Sequence, residues 1–220
     1  MPYRRTERIL ERLAGRRDDI LRAARDIAAE QGLGAVQIVP VAERAGIAAG
    51  TVYRYFPTKA DLVEALLKTI AEQEIAAIRN SAGAAPGPLS ALAAAIMAFL
   101  VRTIQRPGLL AATLTVPAER RLDGLRLLWR RALVAEFEAA IRAAIAAGRL
   151  PEQEVKLAAA AVFGVLAECA IGPLAPGPAD PADWRPLAQA AALLALRALG
   201  VADARARGLV VQAPWPPETG

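Results

Sequence analysis

Histidine is absent from this 220-residue chain, and cysteine occurs once, at Cys169. The first absence removes the commonest metal ligand and the commonest general base near neutral pH, which excludes most hydrolytic mechanisms. A lone cysteine leaves no internal disulfide framework and no metal-binding cluster, and it is compatible with a reducing cytoplasm. Aromatic residues are scarce as well, at 5% of a chain that is 55% hydrophobic. Alanine and leucine make up the difference, which predicts helices packed on helices. Lysine is confined to Lys59, Lys68 and Lys156, so arginine carries most of the positive side of a net charge of +5. Basicity of that size is a mild pointer to nucleic acid. With no Gly-rich phosphate loop and no carboxylate pair at catalytic spacing, the chain reads as a non-enzyme with no cofactor and no metal site.

No apolar run follows the polar stretch Met1–Arg17, which predicts a cytoplasmic protein that is not exported. One stretch, Leu157–Leu174, invites a membrane reading because it lacks Lys and Arg. Gly164, Glu168, Gly172 and Pro173 interrupt it, so a buried helix is the better assignment and no membrane partner is expected.

What is present is organised around Pro40–Leu62. A short helix ends at Ala45, Gly46 makes a turn, and a second short helix runs from about Ala48 to Tyr55 before Phe56-Pro57 breaks the chain. Two short helices joined at a glycine make a helix-turn-helix, whose second helix is sized for the major groove. Placed at one hundred degrees per residue, Val52 faces the core, with Ile47 and Phe56 as the apolar anchors at either end. Gly50 and Arg54 then face outward, flanked by Thr51 and Tyr53. Hydroxyl, phenol and guanidinium groups on such a face suit phosphate oxygens and a guanine edge. Thr58-Lys59-Ala60-Asp61 fits a capping box, which sets Lys59 in the first turn of the next helix.

The order A-G-I-x-x-G-T-V-Y-R-Y-F-P-T-K-x-x-L, from Ala45 to Leu62, resembles the signature of the tetracycline-repressor (TetR) family of bacterial transcription regulators. The motif resemblance covers residues 16 to 65, and the remainder matches in helical layout. It implies an all-α fold: a three-helix DNA-binding domain over 1–60 and a larger helical ligand-binding and dimerisation domain over 61–220. The implied partners are a palindromic operator in double-stranded DNA, a small-molecule effector and a second copy of the chain. The implied DNA contacts are Ala49, Gly50, Thr51, Tyr53, Arg54, Tyr55 and Lys59; Tyr55 comes from the resemblance alone, since the wheel turns it toward the core. Gln37, Val39, Pro40, Ala48 and Ala49 depart from the polar residues common in the family, which concentrates base reading on Arg54. A regulator that binds DNA without any ligand is the alternative.

Elsewhere the pattern predicts helices over Asp18–Gln31, Lys59–Asn80, Leu89–Arg106, Ala118–Ala147, Pro151–Gly172 and Pro181–Gly200, with a short helix ending at Leu114. Arg4, Arg5, Arg8, Arg12, Arg16 and Arg17 read equally as a solvated tail or as a basic arm on DNA. The last two long helices are too poor in charge to be satisfied by one buried face each. Their small-residue row Ala160, Gly164, Glu168 and Gly172 allows close helix approach, and in the family such helices form the dimer's bundle. Glu168 reads either as an exposed carboxylate or as a buried one needing Arg102 or Arg197. Phe99, Arg102, Trp129, Phe137, Phe163 and Cys169, with Met97, are the side chains available to line an effector cavity. The chain beyond Arg205 reads as a loosely held tail.

Overall fold

The computed structural model describes residues 3–106, 123–172, 175 and 180–215, with side chains from Gly15 onward except Pro181. The fold is all-α. Among the described residues the helices are α1 (Tyr3–Gln31), α2 (Ile38–Arg44), α3 (Ala49–Tyr55), α4 (Lys59–Gly83), α5 (Pro88–Gln105), α6 (Asp123–Ala146), α7 (Val155–Ile171), α8 (Trp184–Ala198) and α9 (Asp203–Gln212). The chain divides into two compact units, Met1–Ile70 and Ala71–Gly220. The boundary read at 60/61 marks where α4 begins, whereas the division by contacts falls inside that helix. The side chains of Arg4, Arg5, Arg8 and Arg12, the short helix ending at Leu114, the start of Ala118–Ala147 and the chain past Trp215 lie outside the described residues.

In the first unit, Ile20, Leu21, Ala24, Ile27 and Ala28 form the buried stripe of α1 that their period requires. The helix does not start at Asp18, where that stripe begins, but at Tyr3. Arginine, glutamate and leucine dominate the extra turns, and their helix propensity favours the longer element. Val41 and Val52 are completely buried, joining α2 and α3 to this core.

The second unit is built around α5. Twelve of its eighteen residues are buried, and it packs against α6, α7, α8 and α9. A helix enclosed by neighbours is apolar all round, which is why Pro88–Gln105 alone among the described residues passes a length-and-hydropathy test for a membrane span. Leu92, Ile96 and Phe99 meet Phe137 and Ile141 of α6, Phe163 and Leu166 of α7, and Leu196 of α8 in one core.

Two expectations change here, and the choice left open at Glu168 is decided. Ser81–Gly83 continue α4 past the expected end at Asn80, so the connection to α5 is shorter than expected. Residues 203–212 form α9 instead of a loose tail; Ala206 and Val210 are buried against the core. Asp203 anchors that helix, accepting hydrogen bonds from Arg207 at 2.9 Å and from Arg197. Glu168 is exposed, and both arginines considered for it are engaged elsewhere, Arg197 with Asp203 and Arg102 with Glu74. The reason is the placement of the small-residue row. Ala159, Val162, Phe163 and Leu166 turn α7 inward, which leaves Ala160, Gly164 and Glu168 on its outer face.

Candidate nucleic-acid interface and effector site

The turn between α2 and α3 depends on one backbone conformation. Gly46 has φ of 66°, a left-handed geometry that a side chain would strain. In that geometry Gly46 N–H donates to Glu43 and Ile47 N–H reaches back to the Ala42 carbonyl at 3.0 Å, closing the end of α2. Ala48 is extended at the N-cap of α3 and supplies no side-chain cap. The outer surface of α3 is therefore set by anchoring at its ends and middle. Val52 and Phe56 are buried, Ile47 is half-buried, and Gly50, Tyr53 and Arg54 are exposed. Tyr53 keeps 52% of its surface in the open, a large exposure for an aromatic ring. Ala49, Thr51 and Tyr55 are half-buried on the flanks.

Phe56 caps α3, and Thr58 and Asp61 close a reciprocal capping box. Thr58 N–H donates to Asp61 Oδ2 at 3.0 Å, and Asp61 N–H donates to Thr58 Oγ1 at 3.1 Å. This fixes the start of α4 and leaves Lys59 exposed in its first turn. Two longer-range contacts had no local signal in the sequence. The Arg17 guanidinium lies 5.2 Å from the centroid of the Phe56 ring, bringing a cation from α1 to the foot of α3. Arg44 makes a two-pronged bond to Glu30, at 2.8 and 2.7 Å, that ties the end of α2 to α1. The hydrogen bond from Arg44 holds the Glu30 carboxyl below its ordinary range, and Glu30 in turn raises Arg44.

In the second unit the side chains considered for an effector divide into two groups. Phe99 meets Phe137 edge-on at 6.2 Å and Phe163 at 5.9 Å, and all three rings are buried. Trp129 and Met97 are also buried, Cys169 is half-buried, and the Arg130 guanidinium stands 5.4 Å from the Phe163 ring centroid. Arg102 stands apart. Its Nη2 donates to Glu74 Oε1 at 2.7 Å while its Nε donates to the other oxygen, Oε2. That bond raises the guanidinium's pKa further, against the opposing effect of burial. Arg102 also borders an opening of about 170 Å³, together with Ala77, Ala98 and Val101. An adjoining opening of about 230 Å³ is lined by Ser90, Leu209 and Gln212 among others. Ser81, Ala94 and Pro214 border both, whereas the aromatic trio, Trp129 and Cys169 border neither.

Residues 20–66, the segment that carries α2, α3 and their supports, match the family of bacterial regulatory proteins called tetR. The chain is TetR-like over this segment. It is 38% identical over 100 residues to the HTH-type transcriptional repressor KstR of Rhodococcus jostii (strain RHA1), covering 46% of each chain. To the HTH-type transcriptional repressor KstR2 of Mycobacterium tuberculosis (strain ATCC 25618 / H37Rv) it is 30% identical over 92 residues, 42% of this chain and 46% of that one. The chain thus spans about half the length of the curated relatives it matches. Among solved structures, a SmeT–triclosan complex superposes with a TM-score of 0.70 at 21% identity, covering 92% of this chain and 99% of that one. FadR of Bacillus subtilis in complex with stearoyl-CoA gives 0.60 at 22% identity, covering 90% and 98%. At such identities the superpositions establish the fold alone and nothing of its ligand.

Proposed function

We propose that this TetR-like chain is a cytoplasmic transcriptional repressor that binds a roughly palindromic operator as a homodimer and leaves it when a small apolar or amphipathic molecule binds. Residues 1–60 read DNA, and 61–220 bind the effector and dimerise. The outward face of α3 carries the reading: Val52 is buried while Gly50, Tyr53 and Arg54 are exposed on the opposite side. Ala49 and Gly50 permit close approach to the groove. Thr51, Tyr53, Tyr55 and Lys59 hold phosphates, and Arg54 reads a guanine. The matched repressors and the two ligand-bound structural neighbours support the regulatory reading. In the effector domain, Phe99, Trp129, Phe137, Phe163 and Cys169 supply apolar surface and Arg102 the polar anchor.

The dimer reading rests on surface left uncovered in one chain. Leu157 of α7, three residues before Ala160 in the outward row of Ala160 and Gly164, is 69% exposed, and Leu194 of α8 is 52% exposed. Apolar helix faces of this kind form bundle interfaces between twofold-related copies.

Selection of binding sites from a random DNA pool tests the whole. A palindromic consensus is expected, and Arg54→Ala relaxes it at one base pair per half-site by about 1–3 kcal/mol. An unchanged consensus overturns the guanine contact, and no enriched DNA overturns the function.

A further inference from the structure

The cleft beside Arg102 lies away from the buried aromatic trio. Its two openings share Ser81, Ala94 and Pro214 and so adjoin, bordered by the end of α4, one side of α5 and the end of α9. Alanines and Val101 supply most of its wall. Polar groups are few: the Ser81 and Ser90 hydroxyls, the Gln212 amide and, at the far end, Arg102. Openings of about 230 and 170 Å³ stand below the roughly 300–1,000 Å³ usual for small-molecule sites, which favours a compact ligand.

The chemistry follows from how Arg102 is used. A guanidinium has five N–H donors, and Glu74 takes one from Nε and one from Nη2. Arg102 borders the opening while Glu74 does not, and its side chain keeps 30% exposure against 6% for the carboxylate. The donors that Glu74 leaves are therefore offered on the cleft side. The charge is not, because Glu74 already balances it. An anion placed there loses its own hydration, gains a guanidinium that is already neutralised, and meets the field of the Glu74 carboxylate. An uncharged oxygen gains the hydrogen bond at a much smaller desolvation cost.

We propose that this cleft binds a compact, uncharged, oxygen-bearing apolar molecule such as a phenol, ketone or alcohol. Its oxygen accepts from Arg102 and its apolar body lies on the alanine wall. The oxygen meets an arginine whose other edge holds Glu74 of α4, so the bound molecule acts on the helix that starts at Lys59. That last step rests on the reading of the chain as an effector-responsive repressor; the binding step does not.

The experiment uses the full chain and four matched probes: 4-propylphenol, butyrophenone, 4-propylbenzoate and 4-propylbenzylamine. Binding is followed by ligand-observed NMR and operator affinity is measured in parallel. The phenol and the ketone bind, and the benzoate and the protonated amine are at least tenfold weaker. Ala94→Phe, which fills both openings, reduces binding of the uncharged probes at least tenfold. Ser81→Phe, at a half-buried position bordering both openings, does the same should the first variant fail to fold. Lys156→Ala, exposed at the start of α7 and bordering neither opening, leaves binding within twofold. Equal binding to wild type and the filled variants, a preference for the benzoate, or no binding of any probe overturns the site. Binding that is lost in the filled variants but leaves operator affinity unchanged upholds the cleft and overturns its link to DNA release. Release that persists in the filled variants upholds the effector-responsive reading and removes this site.

Discussion

Truncating Arg102 and truncating Glu74 remove the same ion pair, yet the structure requires the two variants to differ. The carboxylate keeps 6% of its surface exposed and the arginine side chain 30%. In Arg102→Ala the carboxylate is stranded where water reaches it poorly, and breaking a buried pair from one side costs about 3–5 kcal/mol. The partial exposure of the site lets some water replace the guanidinium, which places the expected loss near the lower end, about 3 kcal/mol. In Glu74→Ala the long arginine can turn its head group outward and keep its stem packed, so about 1 kcal/mol is expected. Replacing both, Glu74→Gln with Arg102→Met, removes the buried charge and recovers most of the deficit. Urea denaturation followed by circular dichroism separates these outcomes, provided the slopes stay equal among variants. At about 2–4 °C per kcal/mol for a unit of this size, Arg102→Ala melts about 6–12 °C lower than wild type. Equal losses in the two single variants, or a double variant no better than Arg102→Ala, would refute the argument that the stranded carboxylate dominates.

Three further outcomes follow from other sites. Lys59→Ala is expected to weaken all DNA sequences alike and to lower the slope of log affinity against log salt by about one contact, read from binding isotherms at several salt concentrations. Because Ala160 and Gly164 are exposed in the single chain, Ala160→Glu shifts the sedimentation profile from dimer to monomer without loss of helical content. A variant that unfolds instead would show that the row packs inward. Asp203 is held below its ordinary value of 3.8, chiefly by the hydrogen bond from Arg207 and next by that from Arg197. A depressed carboxyl contributes stability that is present above the ordinary value and is lost as pH falls through the lower folded value. The methyl resonances of Val210 are therefore expected to move as pH falls below about 3.8 in wild type and to stay constant in Asp203→Asn.

The reading helix was legible because its information is local. Ala45-Gly46-Ile47 sets the turn, Val52 and Phe56 stand four residues apart on one face, and Thr58 with Asp61 closes the next helix start within one turn. Each of these relations spans four residues or fewer, where backbone geometry leaves few alternatives. The errors came where such signals thin out. The first turns of α1 hold six arginines among few apolar residues, so the helix from Tyr3 was not separable from a tail. Helix α9 reads Asp-Ala-Arg-Ala-Arg-Gly-Leu-Val-Val-Gln, too short and too charged to announce itself; it is held by burial of Ala206 and Val210. Nothing near Glu168 in sequence tells which face of α7 turns inward.

The sequence by itself determined the all-α class, the position of the glycine turn, the outward side of α3 and the resemblance of residues 20–66 to a regulatory family. These follow from composition, from periodicity and from spacings within a few residues. Tertiary structure alone decided which partners distant residues take: Arg17 on Phe56, Arg44 on Glu30, and Arg102 on Glu74 instead of Glu168. It also decided that three phenylalanines pack against one another inside the core while small residues beside Arg102 leave a cleft. The physical reason is that helical periodicity names the face a residue occupies but not the neighbour that face will meet. Packing, charge pairing and empty space are properties of the neighbour.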